Sequence, residues 1–514
     1  MSSYPSPIPG ISRHPFTGFD VSYALLSVLL VALALTSPCT PGWKLVRAGL
    51  VAPVAASGFL IFAYTTICKD EADTWGSTGF ITFFGIRTFE LLIFFPAEEN
   101  AYRMIPKGNT ARRREKEKEG PNPNGHTHLN IPLPPSLLAE PIPAPFTLEK
   151  FYWSLSLFLS FRGIGWNYCP VLPTASLDDP FSRTSSRWSF VLDRTGHYLL
   201  GWLMHDLTRS YMNLSAASVF FEGTALAPRY DTLTLTQKAI YSMCVCTRVW
   251  FSLQITFVAA GIICVIMGGA FGWETEFWTP WGWPPLFGGL GDIWRHPGLS
   301  TMWSRTWQQY YRRWLYVFGW IGLGENILRL PRSGPASRPT PSPTPLSLAP
   351  TPLASGQTSP SHPLPTLPVQ RVKTSSAIKL SNFVKSLLVF FLSGLLHDLG
   401  SLMLLYDDSA PHPKLQFSEM FLVTPFFLAQ PFGLTAEAFI KTRWRGYKRN
   451  RRAPEPNWMV TLERVVGFAW TWWFLGWTAG WYLSGVSRVG LYRRKDRDTY
   501  PSLIGGLVFG QWSH

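Results

Sequence analysis

The chain predicts an all-α, polytopic helical membrane protein with about 7–10 transmembrane helices, because several apolar windows reach the roughly 20 residues that span a bilayer. Two compositional observations agree. Hydrophobic residues make up 46% of its 514 residues, with 36 Phe and 24 Trp. Charged residues make up only 15%, against about 25% in soluble domains.

In chain order, the spans are 20–37, 48–67, 78–97, 240–268, 383–406, 415–437 and 459–484. Shorter apolar stretches at 151–161, 198–208 and 314–324 read as half-membrane or tilted helices buried in protein. Lys44 and Arg47 follow the first span, Asp70, Glu71 and Asp73 the second, and Arg103, Lys107, Arg112, Arg113 and Arg114 the third. Positive-inside counting then places the N-terminus in the lumen and residues 100–150 in the cytosol, and Lys441 to Arg452 is the strongest cytosolic loop. The first 20 residues carry no basic run beyond Arg13, so the first apolar segment reads as a membrane helix, not a cleaved signal.

Composition divides the chain into blocks. Residues 1–100 are N-terminal transmembrane helices and 101–150 a charged, Pro-rich cytosolic loop. Residues 151–330 and 373–485 are two parts of one membrane domain, and 486–514 form a C-terminal tail. Between the two parts, 331–372 is rich in Pro and Ser, a composition that favours extended chain over any core, so it reads as a disordered linker.

The net charge of +15 does not point to nucleic acid. Its basic residues flank apolar runs, where they mark cytosolic loops and anionic lipid surfaces. The six cysteines are scattered, without zinc spacing or a disulfide framework, and no metal site is expected. Trp273, Trp278, Trp281 and Trp283 read as a membrane–water interface cluster.

Chemistry is concentrated at His397, inside the apolar run Phe383 to Tyr406. An ionisable residue at membrane depth costs roughly 2.5–3.5 kcal/mol and marks a functional site by default. A histidine that serves only helix packing is the competing reading. Ser393, Gly394, Gly400 and Ser401 share its helical face, so a helix or a substrate can approach closely. Asp398 is adjacent in sequence but points elsewhere and does not make a His–Asp relay.

Two further segments stand out. Ser300 to Trp314, read as a helix, puts Trp303, Trp307, Tyr310 and Trp314 on one aromatic stripe and Arg305, Gln309 and Arg312 on another. Those arginines suit phosphate groups or lipid headgroups equally. Residues 160–168 hold Arg162, Gly163, Gly165, Trp166 and Asn167 in a tight SFRGIGWNY turn without a nucleotide-binding pattern. A second dipeptide, His205–Asp206, lies nearer the polar end of its segment and reads as structural. No GxSxG, HExxH or kinase signature occurs.

Taken in order, RGIGWNY (162–168), MWSRTWQQYYRRW (302–314) and FLSGLLHDLG (391–400) resemble the successive signatures of fungal wax synthase-like proteins, a branch of the membrane-bound O-acyltransferase (MBOAT) superfamily. The resemblance covers roughly residues 150–480. It implies His397 as the catalytic histidine. It also implies a second polar residue after the motif tryptophan, usually His or Asn, which here is Gln308 after Trp307. Gln cannot act as a base, so proton transfer is excluded and a catalytic role for Gln308 is that of orienting the substrate or donating to the developing oxyanion. The pattern keeps Arg305 but has Ser304 and Thr306 where the family has Gly and Arg.

The implied reaction is transfer of an acyl group, acetyl in the first instance, from acyl-CoA to a hydrophobic alcohol such as a terpenoid or meroterpenoid. A neutral imidazole, with an ordinary pKa of about 6.5, suits removal of the alcohol proton. Trp307, Arg305, Arg312, Ser393 and Asp398 are the candidate substrate and CoA contacts, and Arg162, Gly163, Gly165, Trp166 and Asn167 a structural motif. Acyl-CoA is a co-substrate, so no cofactor is expected; the other partners are the alcohol and the bilayer, with no nucleic acid. The family implies the endoplasmic reticulum. Three alternatives stay open: a long-chain wax-ester synthase, a proton-coupled transporter using the intramembrane His and Asp, and an inactive scaffold-like homologue.

Overall fold

The computed structural model describes residues 18–63, 84–106, 137–168, 181–182, 184–221, 228–308, 310–331, 376–404, 421–450, 456–489, 491–492 and 501–512. Most of the charged stretch 101–150 and of the 331–372 linker, together with 64–83 and 405–420, lies outside these residues.

Helix dominates, as the apolar runs require. The N-terminal block holds α1 (Gly18–Thr36), α2 (Pro41–Val46) and α3 (Ala52–Ala63), with a π turn, Arg47–Val51, joining the last two. It packs on α4 (Leu148–Leu159) through Val31, Leu35, Phe59, Leu157 and Phe158. Arg47 is buried here because every arm has an acceptor: Ala34 and Ser37 carbonyls, and Glu98 at 2.8 Å. Helix is not universal. Met104–Pro106 and Leu137–Ala139 pair as a short antiparallel ribbon, β1 and β2, so the two ends of the charged stretch meet.

The 198–208 stretch is no half-membrane helix of its own but the middle of a 28-residue helix, α5 (Arg187–Leu214). It runs beside α6 (Leu235–Phe271), which starts at a Thr234–Gln237 capping box and stops at Gly272 in the left-handed conformation. α7 (Ser376–Leu404), α8 (Thr424–Asn450), α9 (Asn457–Arg488) and α10 (Leu503–Phe509) complete the second half. Apolar stretch 314–324 becomes a π-helix, Leu315–Ile327, that lies against α7. Gly319 permits that contact, since a Cβ there would sit 3.1 Å from the Val389 backbone. Lys385, buried, bridges to Glu325 at 2.7 Å across the same seam.

Among the described residues, α6 and the stretch Ser376–Ser401 of α7 are long and apolar enough to cross a membrane.

Two expectations need correction. Residues 300–314 are not one helix. A π turn, Met302–Thr306, ends where Trp307 becomes extended, and the next helical turn begins only at Arg312. The Gly288 N–H, donating to the Thr306 carbonyl, helps hold that break. The aromatic stripe therefore does not exist. Trp303 turns to Gln430, its Nε1–H donating at 3.1 Å, while Tyr310 packs edge-on against Phe257. The tryptophan cluster also divides: Trp273 is exposed, but Trp283 is buried and donates to the Phe277 carbonyl at 2.8 Å.

Candidate active site

His397 sits on α7 with its Nδ1 2.7 Å from the Ser393 carbonyl one turn earlier. A carbonyl only accepts, so Nδ1 carries the proton and Nε2 is the basic nitrogen. The ring also packs on Phe427, 4.5 Å between centroids. Both contacts fix its orientation. The small residues of its face have separate uses. Gly394 lets α8 approach, since a Cβ there would lie 2.5 Å from Thr424 Oγ1, whereas Gly400 lines a cavity beside His397.

That cavity, of about 100 Å³, lies between the α5–α6 pair and α7. His397 bounds it from α7, His205 from α5, and Arg248 from α6. Trp307 and Gln308 reach it because the chain breaks after Thr306. The Gln308 Oε1 accepts from the Tyr310 N–H at 2.8 Å, which leaves its NH₂ as the group able to donate into the cavity. Tyr311 is the next polar wall; burial pushes its hydroxyl up to about 12, so it stays protonated. The buried Arg248 lies with its guanidinium 4.7 Å from the centre of the Tyr492 ring, a cation–π contact.

A larger cavity of about 590 Å³ shares none of these lining residues. Trp250, which lines it, stacks on Phe287 at 3.8 Å and meets Trp307 edge-on at 6.0 Å. Its remaining walls include Phe190, Phe257 and Trp283, with Asp193, Arg194 and His197 at one side.

The other candidate residues take different places. Asp398 does not line the smaller cavity. Its buried carboxylate accepts from the N–H of Val423 at 2.7 Å and of Thr424 at 3.3 Å, and from the Thr424 hydroxyl. It thus satisfies donors at the start of α8. Ser393 contributes its carbonyl, through His397. Arg305 and Arg312 are exposed and outside the cavity wall; an Arg312 arm donates to the Ser304 carbonyl at 3.0 Å.

Residues 162–168 build a scaffold. Arg162 donates to the carbonyls of Pro284 and Pro285. Gly163 and Gly165 hold φ of 66° and 79°, where a side chain is strained. Trp166 is fully buried and donates to Glu276 at 3.1 Å. Asn167 ties Asn100 and Tyr102 to this turn.

Sequence reasoning missed His205 and Arg248 as parts of the cavity. One signal was available for the histidine: Leu203 to Leu207 (LMHDL) repeats the pattern of Leu395 to Leu399 (LLHDL). No cluster of three or more His, Cys, Asp or Glu able to hold a metal occurs among the described residues.

No family model and no solved structure matches the chain. Curated relatives do, at low identity. Acetyltransferase sirH of Emericella nidulans is 28% identical over 173 residues, 32% of this chain and 35% of that protein. An acetyltransferase of Arthrobotrys oligospora is 25% identical over 360 residues, 68% of this chain and 63% of that protein. O-Mevalon transferase yanI of Aspergillus niger is 26% identical over 171 residues, 32% of this chain and 35% of that protein. The chain thus matches about a third of two of these relatives and under two thirds of the other.

Proposed function

We propose that the chain is a membrane-embedded O-acyltransferase of the wax synthase-like MBOAT branch. It moves an acyl group, acetyl in our reading, from acyl-CoA to a hydrophobic alcohol such as a terpenoid or meroterpenoid of fungal secondary metabolism. The observation that carries this reading is the meeting of His397 and Gln308 in one cavity, with the imidazole held by the Ser393 carbonyl. The relatives' names agree on transfer of an acyl-type group.

In this mechanism the Nε2 of His397 takes the proton of the acceptor hydroxyl as its oxygen bonds to the acyl carbon. An alcohol is a weak nucleophile until that proton leaves. Negative charge then develops on the carbonyl oxygen, and the NH₂ of Gln308 donates to it. The C–S bond breaks, and the CoA thiolate takes the proton from His397. No covalent intermediate on the protein is needed, since in this reading the acceptor hydroxyl and the acyl carbon meet beside His397 in the smaller cavity. We place the protein in the endoplasmic reticulum membrane as a multi-pass chain, which lets the alcohol arrive from lipid and acyl-CoA from the cytosol.

The test is an assay of microsomes that express the chain, wild type beside His397→Ala. Labelled acetyl-CoA or palmitoyl-CoA is supplied with terpenoid and fatty alcohols, and lipid extracts are read by mass spectrometry. We expect an acetyl ester that falls at least about 100-fold in the variant, the smaller end of a general-base contribution. Long-chain esters move the assignment to a wax-ester synthase. Undiminished turnover by folded His397→Ala removes the mechanism.

A further inference from the structure

The two His–Asp dipeptides are used alike. In each, a helix directs three consecutive side chains to three environments. His205 and His397 both face the smaller cavity. Asp206 and Asp398 are both buried and both turn to the start of another helix. Leu207 and Leu399 are both exposed on the outer side. Adjacent helical residues point about 100° apart, so a clamped carboxylate fixes where its neighbouring imidazole aims. Asp206 is clamped as firmly as Asp398: its carboxylate accepts from the Ser502 hydroxyl at 2.7 Å and from the Ile504 N–H at 2.9 Å, at the start of α10. The Ser502 hydroxyl in turn meets Ser210, one turn further along α5. An anchor of this kind, between segments so far apart in the chain, holds α5 in rotation about its axis and keeps His205 in the cavity.

Resting on the acyltransferase reading, we propose that His205 is a second histidine of the reaction, a hydrogen-bond donor to the acyl carbonyl oxygen. His397 stands on the α7 side of the cavity and His205 on the α5–α6 side. The base must face the acceptor hydroxyl, so the carbonyl oxygen is turned toward the other walls, where His205 and Gln308 lie. An imidazole N–H there meets the charge that develops on that oxygen. His205 moves no proton. The alcohol proton goes to His397, the new C–O bond replaces the C–S bond, and the thiolate leaves with the proton from His397. Asp206 is a positioning residue that acts through His205.

The experiment compares purified full-length wild type, His205→Leu, His205→Asn and His397→Ala, with turnover normalised to monodisperse folded protein. Acetyl-CoA and an accepted alcohol are the probes. We expect His205→Leu to lower kcat by about 100-fold, the loss found when one such donor is removed. His205→Asn, which keeps an N–H donor, is expected to stay within about tenfold of wild type, and KM for acetyl-CoA within about threefold. If leucine unfolds the chain, His205→Ala against His205→Asn makes the same comparison. A folded His205→Leu with kcat near wild type overturns the proposal. So does an equal loss in His205→Asn, or a loss confined to KM. Each of those outcomes leaves the acyltransferase reading intact as long as His397→Ala is inactive. An active His397→Ala strikes the reading itself.

Discussion

The carboxylate of Asp398 and the residue Thr424 form a two-point contact, one oxygen accepting from both the N–H and the hydroxyl of Thr424. This contact fastens the helix that carries His397 to the first turn of α8. The carboxylate next to the candidate base thus acts on structure, by satisfying helix-start donors that have no partner within their own helix.

Replacement of either partner is expected to loosen that join. Asp398→Asn keeps the shape but removes the charge, so an acceptor becomes a donor facing N–H groups. We expect a loss of about 1–3 kcal/mol, the usual effect of leaving buried hydrogen-bonding groups unsatisfied. Thr424→Val removes only the hydroxyl and is expected to cost about 1 kcal/mol. Thermal unfolding in detergent measures both, and a larger effect for Thr424→Val contradicts the order given.

Close approach of α7 and α8 rests on Gly394. A Cβ there would lie 2.8 Å from the Thr424 Cα, a backbone atom that cannot turn aside. Gly394→Ala is expected to cost about 1–3 kcal/mol by overpacking. Gly446, on α8 itself, serves as the control, because a methyl group added there would meet nothing within 4 Å. Gly446→Ala is expected to stabilise by about 0.5–1 kcal/mol through helix propensity alone. Opposite signs in the two melting shifts are the outcome to look for.

Gln308 tests the oxyanion assignment. Gln308→Ala removes the NH₂ donor, and kcat is expected to fall about 100- to 1,000-fold with little change in KM. Steady-state kinetics at varied acetyl-CoA separates the two parameters. A rise in KM at constant kcat assigns Gln308 to ground-state binding instead.

Glu98 makes stability depend on pH. Burial opposes its charge, but Arg47, bonded to both its oxygens, and Lys150 nearby hold the carboxyl below its ordinary range. A carboxyl lowered in the folded state contributes stability that is full above its unfolded pKa of about 4.3 and is lost as pH falls through the folded value. Melting of wild type is therefore expected to weaken on acidification below that unfolded value, and Glu98→Gln to weaken less steeply over the same range. Parallel melting curves across pH 3 to 6, taken in ~0.5-unit steps, decide the matter.

The sequence by itself determined that helix dominates the chain and singled out His397. Apolar periodicity and length are local properties, written in adjacent residues, so α6 and α7 were legible before any fold was known. An ionisable ring in such a run is costly wherever the chain goes, which made His397 conspicuous without a partner in view. Only the tertiary structure decided what meets it. The break after Thr306, which turns Trp307 and Gln308 into the cavity, depends partly on a hydrogen bond from Gly288 that no helical wheel contains. His205 read as structural because it lies nearer the polar end of its segment; its place on the wall it shares with His397 comes from the packing of α5, which lies along α6 and is bonded through Asp206 to the start of α10, near the far end of the chain. Asp398 and Asp206 carry equal charge in the sequence, yet their role as anchors exists only once distant helix starts are brought to them. Local pattern sets the faces of a helix, and packing between remote segments sets which faces share a cavity.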